Sequence, residues 1–387
     1  MEQYWKTTGP IEQKVLFKKK TENIYCIGSR SSDKYIYAPD READVIYTIL
    51  HWIDQGKSIV EIQKDMGDRY GMSQKNVDVI IEKCKKAGLI KIPNGENIKP
   101  DVDEYELMMV KLKDFSLIKI YPVFHMLIKY FRIIFVLMLC VMMFAVASVA
   151  MNMDKVDFPW KEVFANPKTL LYMWVIQFFS LVLHEFAHAI VGYKYGAKPE
   201  SFSVAVFYYC TLIFYIRLPG IYFKTQKERI KIWSAGVFTN LFLSACFWFL
   251  FLYSSEKIQL FFAVGVMSNL MLALNNLVPF FYSDGYYILA TLLKTPNLRK
   301  KSFFKIKQLF KEGLSKDTFI YWIYLGVTVL VTGGVLGGEL WIVGNQIYSS
   351  ILSKTGFWNI VKDYSNLLII MLIGIVGKII SVCRKRG

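Results

Sequence analysis

Residues 170–192 read LLYMWVIQFFSLVLHEFAHAIVG. The run is long and apolar enough to cross a hydrocarbon core, which takes about 20 such residues. Its second half nevertheless carries His184, Glu185 and His188. On a helix, residues four apart share a face, so both imidazoles point the same way, with Glu185 about 100° round from His184. This is the HExxH spacing, in which two histidines bind one zinc ion and the glutamate stands beside the open coordination position. An ionised side chain in such a span costs at least ~2.5–3.5 kcal/mol on insertion scales, so its presence marks a functional site. His184 follows Leu170 by 14 residues, which puts it roughly 20 Å into a core of about 30 Å.

The rest of the 387-residue chain fits a membrane setting. It is 54% hydrophobic, 16% aromatic and only 20% charged, with a mean hydropathy of +0.32; soluble domains carry about 25% charged residues. The net charge of +16 would suit a polyanion binder, but its distribution argues otherwise. Residues 1–100 hold 17 basic and 14 acidic side chains, leaving a balance of +13 for the apolar remainder. A plain soluble enzyme is excluded and no nucleic-acid partner is expected. The six cysteines are scattered without a CxxC pair, so neither a disulfide framework nor a cysteine metal site is expected.

Six spans can be drawn: Ile133–Met151, Leu170–Gly192, Ile232–Tyr253, Ile258–Phe280, Phe319–Val343 and Tyr364–Val382. Positive charge gathers before the first span (Lys113, Lys119, Lys129, Arg132), in the loop from Lys294 to Lys316, and in the tail Arg384-Lys385-Arg386. Met1 to Pro10 is polar, with no signal-peptide character. The expectation is a multi-pass protein of the plasma membrane with both termini cytosolic and the lipid bilayer as solvent. The histidines then lie in its cytosolic half. Gly333, Gly334, Gly337 and Gly338 in the fifth span form two overlapping GxxxG patterns, a close-packing surface, and Glu339 is read as interfacial.

Residues 1–92 read as a small soluble α/β module. Strand-like runs at Lys14–Lys18, Asn23–Ile27 and Lys34–Ala38 suit a three-stranded antiparallel sheet. Asp40 is expected to cap a first helix that stops at Gly56; Ser58 and Glu61 have capping-box spacing before a second. Ser73 starts a third, with Val77, Ile80, Ile81 and Cys84 on one stripe and Gly88 as its stop. The layout resembles PqqD-like, winged-helix-like leader-peptide recognition domains. That resemblance implies that a peptide adds a strand to the sheet and packs against the third helix. A winged-helix DNA binder would want a more basic third helix than one carrying Asp78 and Glu82. Residues 93–117 read as a linker, and 118–387 as the membrane domain.

Two histidines leave a catalytic zinc one protein ligand short. Of the other two in the chain, His51 lies in the head, and His125 falls in an aromatic stretch that suits a helix along the inner membrane face. The fourth span ends Asn275-Asn276-Leu277-Val278-Pro279-Phe280-Phe281-Tyr282-Ser283-Asp284-Gly285. Asp284 follows a helix-breaking proline, so it is either the third ligand or the cap of the next helix. HExxH followed by this Asn-x-x-Pro-x-x-x-x-Asp-Gly pattern resembles the intramembrane zinc metalloproteases of the site-2-protease type, over a catalytic core of about 170–293. Ser234-Ala235-Gly236-Val237-Phe238-Thr239-Asn240 corresponds to that family's small-residue middle span, with Val237 where proline is common. The resemblance implies a mostly α-helical fold around a three-helix core and one Zn2+ per chain. It implies His184, His188 and Asp284 as metal ligands, Glu185 as the catalytic base, and substrate contacts from Asn276 and Asn240. It also implies that β-prone Ser201–Arg217 folds back as a membrane-associated hairpin beside the site; an edge strand there could take substrate in extended form, or the hairpin is a buried packing element.

Head and core together resemble peptide zinc metalloproteases of modified-peptide pathways. The expected activity is cleavage of a ribosomally made precursor peptide at or near the membrane, with a peptide-modifying enzyme or an exporter as further partners. Two alternatives stand beside it. One is a regulated intramembrane protease that releases a membrane-anchored regulator of the anti-sigma-factor kind. The other is a non-catalytic exporter or immunity protein that retains the motif.

Overall fold

The computed structural model describes residues 5–19, 22–91, 109–152, 158–165, 167–207, 211–280, 282–304 and, between 319 and 334, all but 320 and 332. Two compact units emerge: residues 1–108 with 195–200 and 217–229, and the remainder of the chain.

The first unit contains a two-stranded ribbon, β1 (Lys6–Thr7) paired with β5 (Ile90–Lys91), and an antiparallel sheet in the order β2 (Glu12–Phe17), β3 (Ile24–Ser29), β4 (Lys34–Pro39). The three strands match the expected runs to within two residues at each end, while the ribbon is too short to leave a period-2 signal. Helices α1 (Asp40–Asp54), α2 (Ile59–Tyr70) and α3 (Gln74–Lys86) follow. Ser58 and Glu61 form the capping box, Ser73 Oγ accepts from the Asn76 amide, and Gly88 turns the chain at φ +70°. Asp40 departs from expectation. Pro39 is the N-cap, and the Asp40 carboxylate accepts from the Asn23 amide at 3.2 Å instead of capping α1.

The sheet is covered on both faces. Ile27, Ile36 and Ala38 face the helices and join Ile46, Ile49, Leu50, Ile62, Val77 and Cys84 in one core. On the other face Leu16, Phe17, Cys26, Tyr35 and Tyr37 pack against Tyr222 and Phe223, which come from nearly two hundred residues downstream. Gly220, at φ +80°, donates its amide to Tyr35 Oη at 2.8 Å, and that hydroxyl donates to Asp33 at 2.6 Å. Arg229 is 1% exposed. Its guanidinium donates to the Leu16 carbonyl at 3.1 Å and lies over the Phe17 ring. No sequence pattern announced this cover. Burial pushes the Cys84 thiol up to about 12 and Cys26 higher still, so both act as inert apolar filler.

The second unit begins with β6 (Met109–Ser116), whose residues had been expected to close a linker. It pairs antiparallel with β7 (Ser201–Phe207), and β8 (Thr211–Arg217) forms the other edge of that sheet. Helices follow among the described residues: α4 (Tyr121–Lys129), α5 (Phe131–Asn152), α6 (Trp160–Ala165), α7 (Pro167–Lys194), α8 (Gln226–Tyr253), α9 (Glu256–Leu277) and α10 (Asp284–Leu292). Among the described residues four helices, α5, α7, α8 and α9, are long and apolar enough to cross a membrane, in place of the six drawn from sequence. Of the fifth expected span the described helix is the shorter Tyr321–Val331; the rest of it, with Gly337, Gly338 and Glu339, and the whole sixth lie outside the described residues.

The four long helices meet in a core of Ala145, Ile176, Ala245, Trp248, Phe251, Ala263 and Val264. Trp248 Nε1 donates to Ser148 Oγ at 3.1 Å, and Ser244 Oγ to the Val266 carbonyl at 3.0 Å. Near the C-terminal end of α7, Phe124 of α4 packs beside Phe186, and Phe186 stacks on Phe202 of β7. His125 is exposed on α4.

Phe223, fully buried on the back of the head's sheet, gives a direct check. Phe223→Ala is expected to cost the head about 3–5 kcal/mol. Limited proteolysis of the detergent-purified chain should then cut within residues 1–91 well below the temperature at which the parent is cut; equal resistance would contradict this packing.

Candidate metal centre

His184 and His188 sit one turn apart on α7, 3% and 5% exposed. Their Nε2 atoms are 3.2 Å from each other. Helix α8 holds both rings from behind. The Ile232 carbonyl lies 2.7 Å from His188 Nδ1, and the Asn240 carboxamide 3.1 Å from His184 Nδ1. Between them, a Cβ on Gly236 would stand 2.3 Å from His184 Nε2, a distance no side chain tolerates. Ile232, Gly236 and Asn240 recur every four residues, so they form one stripe of α8 facing the histidines.

Asp284 enters from α10. Helix α9 ends at Leu277, Ser283 Oγ donates to the Val278 carbonyl at 2.6 Å, and α10 restarts at Asp284. The turn is tight enough that a Cβ on Gly285 would fall 2.2 Å from the Leu277 carbonyl oxygen. Its outcome is that Asp284 Oδ2 lies 3.1 Å from His184 Nε2 and Oδ1 lies 3.3 Å from His188 Nε2. Asp284 Oδ2 is buried and receives no well-directed hydrogen bond. Glu185, beside them, is fixed differently: its Oε2 accepts from the Ile216 amide of β8 at 3.0 Å.

His184, Glu185 and His188 form a group able to hold a metal ion, with one ligand atom from each lying within 4.8 Å of the others. The donor chemistry suits zinc. Ligands about 2.0–2.2 Å from a tetrahedral zinc stand about 3.3–3.5 Å from one another; the separations here are 3.2, 3.1 and 3.3 Å. An acceptor-only carboxylate oxygen, buried without a hydrogen-bond donor aimed at it, is what a cation's neighbour looks like.

The structure therefore brings together His184, Glu185, His188, Asp284 and Asn240. Asn240 touches a histidine. Asn276 instead donates its amide to the Leu272 carbonyl of its own helix at 3.0 Å. Three contributors escaped sequence reading. The Ile216 amide and Ile232 carbonyl are backbone groups, which every residue has. Gly236 stood within the small-residue segment, where its lack of a side chain was the available signal. No known protein family matches the chain, and no curated protein or solved structure does either.

Gly236→Ala is the sharpest steric probe of this arrangement. The added methyl is expected to displace His184 and reduce bound zinc in the purified protein to a small fraction of the parent's, as measured by elemental analysis. Parent-like zinc content would show that α8 does not approach the ring as described.

Proposed function

We propose that the chain is a membrane-embedded zinc endopeptidase of the site-2-protease type that cuts a precursor peptide presented by the N-terminal head. The observation that carries this reading is the set of 3.1–3.3 Å separations among His184 Nε2, His188 Nε2 and the Asp284 carboxylate, beside Glu185. His184, His188 and Asp284 would hold the ion. When bound, zinc lowers the pKa of a water molecule towards ~7 and polarises a carbonyl.

The remaining steps belong to the chain's own groups. Glu185, with one oxygen anchored by the Ile216 amide, takes a proton from the attacking water with its other oxygen. It then delivers that proton to the departing amine, so one water and one peptide bond become a carboxylic acid and an amine. Strand β8 is the edge of its sheet and carries the amide that holds Glu185. A substrate added along that edge would lie extended, as hydrolysis of a peptide bond requires.

The head's own edges support the precursor-peptide reading over release of a membrane-anchored regulator. At β2 the Leu16 carbonyl is taken by Arg229. Strand β4 is the opposite edge of the sheet, and no strand among the described residues pairs with its outer side. A leader peptide could add there, as in the PqqD-like layout. Both termini are placed in the cytosol on the charge distribution.

Glu185→Gln keeps the shape and the Ile216 contact but removes the base. It is expected to leave zinc content near one per chain while slowing cleavage of the precursor in reconstituted vesicles by about 10²–10⁴-fold. Cleavage at the parent rate would rule out this role. A parent protein that cuts nothing and binds no zinc would overturn the enzyme reading as a whole.

A further inference from the structure

We propose that Asn240 is a positioning residue for His184. Its carboxamide oxygen accepts the Nδ1–H of the ring and so fixes the tautomer that leaves Nε2 bare for the metal. This rests on the metal site described above and adds to it the outer partner of one ligand.

Asn240 is 0% exposed, and its carboxamide nitrogen lies 3.1 Å from His184 Nδ1, while its own oxygen, also buried, has no hydrogen-bond partner. Oxygen and nitrogen of a carboxamide are told apart by hydrogen-bond logic, because a half-turn of the group exchanges them. With nitrogen towards the ring, Nδ1 must be the acceptor and Nε2 must carry the proton. That proton would then point among His188 Nε2 at 3.2 Å and Asp284 Oδ2 at 3.1 Å, where a ligand nitrogen has to be bare. With oxygen towards the ring, the proton sits on Nδ1 and Nε2 is free.

The neighbouring histidine shows the same device in a form without ambiguity. His188 Nδ1 faces the Ile232 carbonyl at 2.7 Å, a group that can only accept, so its proton is on Nδ1. Two turns further along the same stripe of α8, Asn240 does for His184 what the backbone does for His188. Three other asparagines of the apolar helices behave differently: Asn152, Asn269 and Asn276 each donate, at 2.8, 3.0 and 3.0 Å, to the carbonyl four residues back in their own helix. Asn240 instead turns to a side chain on another helix.

The test compares Asn240→Leu, similar in size with no acceptor, with Asn240→Asp, which accepts from Nδ1–H. Cobalt(II) affinity of the full chain in detergent is read from the cobalt absorption spectrum in competition with a chelator. Loss of an outer partner of a ligating histidine typically costs 10–100-fold in metal affinity. Asn240→Leu is therefore expected to weaken cobalt by about that factor, and Asn240→Asp to restore it to within a few-fold of the parent. The thermal unfolding of metal-free Asn240→Leu should stay close to the parent's. Equal loss in both variants would mean that Asn240 only fills space and would overturn the proposal. So would a raised KM with unchanged cobalt affinity, which is the signature of a substrate contact. A parent chain that takes up no cobalt overturns the metal site itself; a parent that binds it with Asn240→Leu unaffected overturns the assignment of Asn240 alone. Should Asn240→Asp fail to fold, the nitrogen NMR shifts of His184 in the metal-loaded parent decide, with a protonated Nδ1 expected and a bare Nδ1 contrary to the proposal.

Discussion

His184 and His188 each have two ring nitrogens to satisfy inside a unit built of apolar helices. Water is scarce there, and a stranded polar group costs about 1–3 kcal/mol. Helix α8 answers for the Nδ1 side of both rings. It does so by lying against α7 at a distance that only Gly236 permits, since a methyl there would overlap the His184 ring. The consequence is directional. With both Nδ1 atoms engaged by α8, both Nε2 atoms are left to lie beside the Asp284 carboxylate. A slide of α7 along α8 would strand polar groups on both helices at once, so the contact sets the register between them as well as the aim of the histidines.

Glu185 is governed by a different element. Its carboxylate lies beside the two histidines, within 4.8 Å of their ligand atoms, and the Ile216 amide on β8 restrains one of its oxygens. The hairpin in turn rests on α7 through aromatic contacts, Phe186 with Phe202 and Phe178 with Phe214. In sequence, Ile216 and Ile232 bracket residues 217–229, which fold with the head's sheet. One continuous stretch therefore supplies the cover of that sheet and, at its two ends, backbone support for Glu185 and His188.

Much of the site was legible because helical spacing is local. His184 and His188 share a face by their separation alone, and Pro279 with Gly285 marked the turn that presents Asp284. The head's helices were legible for the same reason, from Ser58 with Glu61 and the stripe of Val77, Ile80, Ile81 and Cys84. What could not be read was non-local. Tyr222, Phe223 and Arg229 cover a sheet formed two hundred residues earlier, and nothing in their neighbours signals that partner. Strand β6 lies between these cases. Val110 and Leu112 alternate with Lys111 and Lys113, a period-2 signal, but the charged, proline- and glycine-bearing stretch before it reads as linker. Its pairing depends on β7, some ninety residues downstream. Asn240 was flagged in its segment, yet its partner is set by the crossing of α7 and α8, which sequence does not contain.

Asp284 shows why two readings of one residue need not compete. As the first residue of α10 it is a negative charge in a first turn, where the helix dipole favours one. Ser283 holds the N-cap position, but its hydroxyl is turned back to the Val278 carbonyl and makes no cap bond. The Asp284 carboxylate is turned towards the imidazoles. A helix start suits a carboxylate turned towards two imidazoles, because the first turn fixes the backbone while leaving the side chain outside the helical hydrogen-bond ladder. Pro279 ends α9, Gly285 lets the chain fold back within van der Waals contact of Leu277, and the carboxylate arrives at the histidines as a result of that turn.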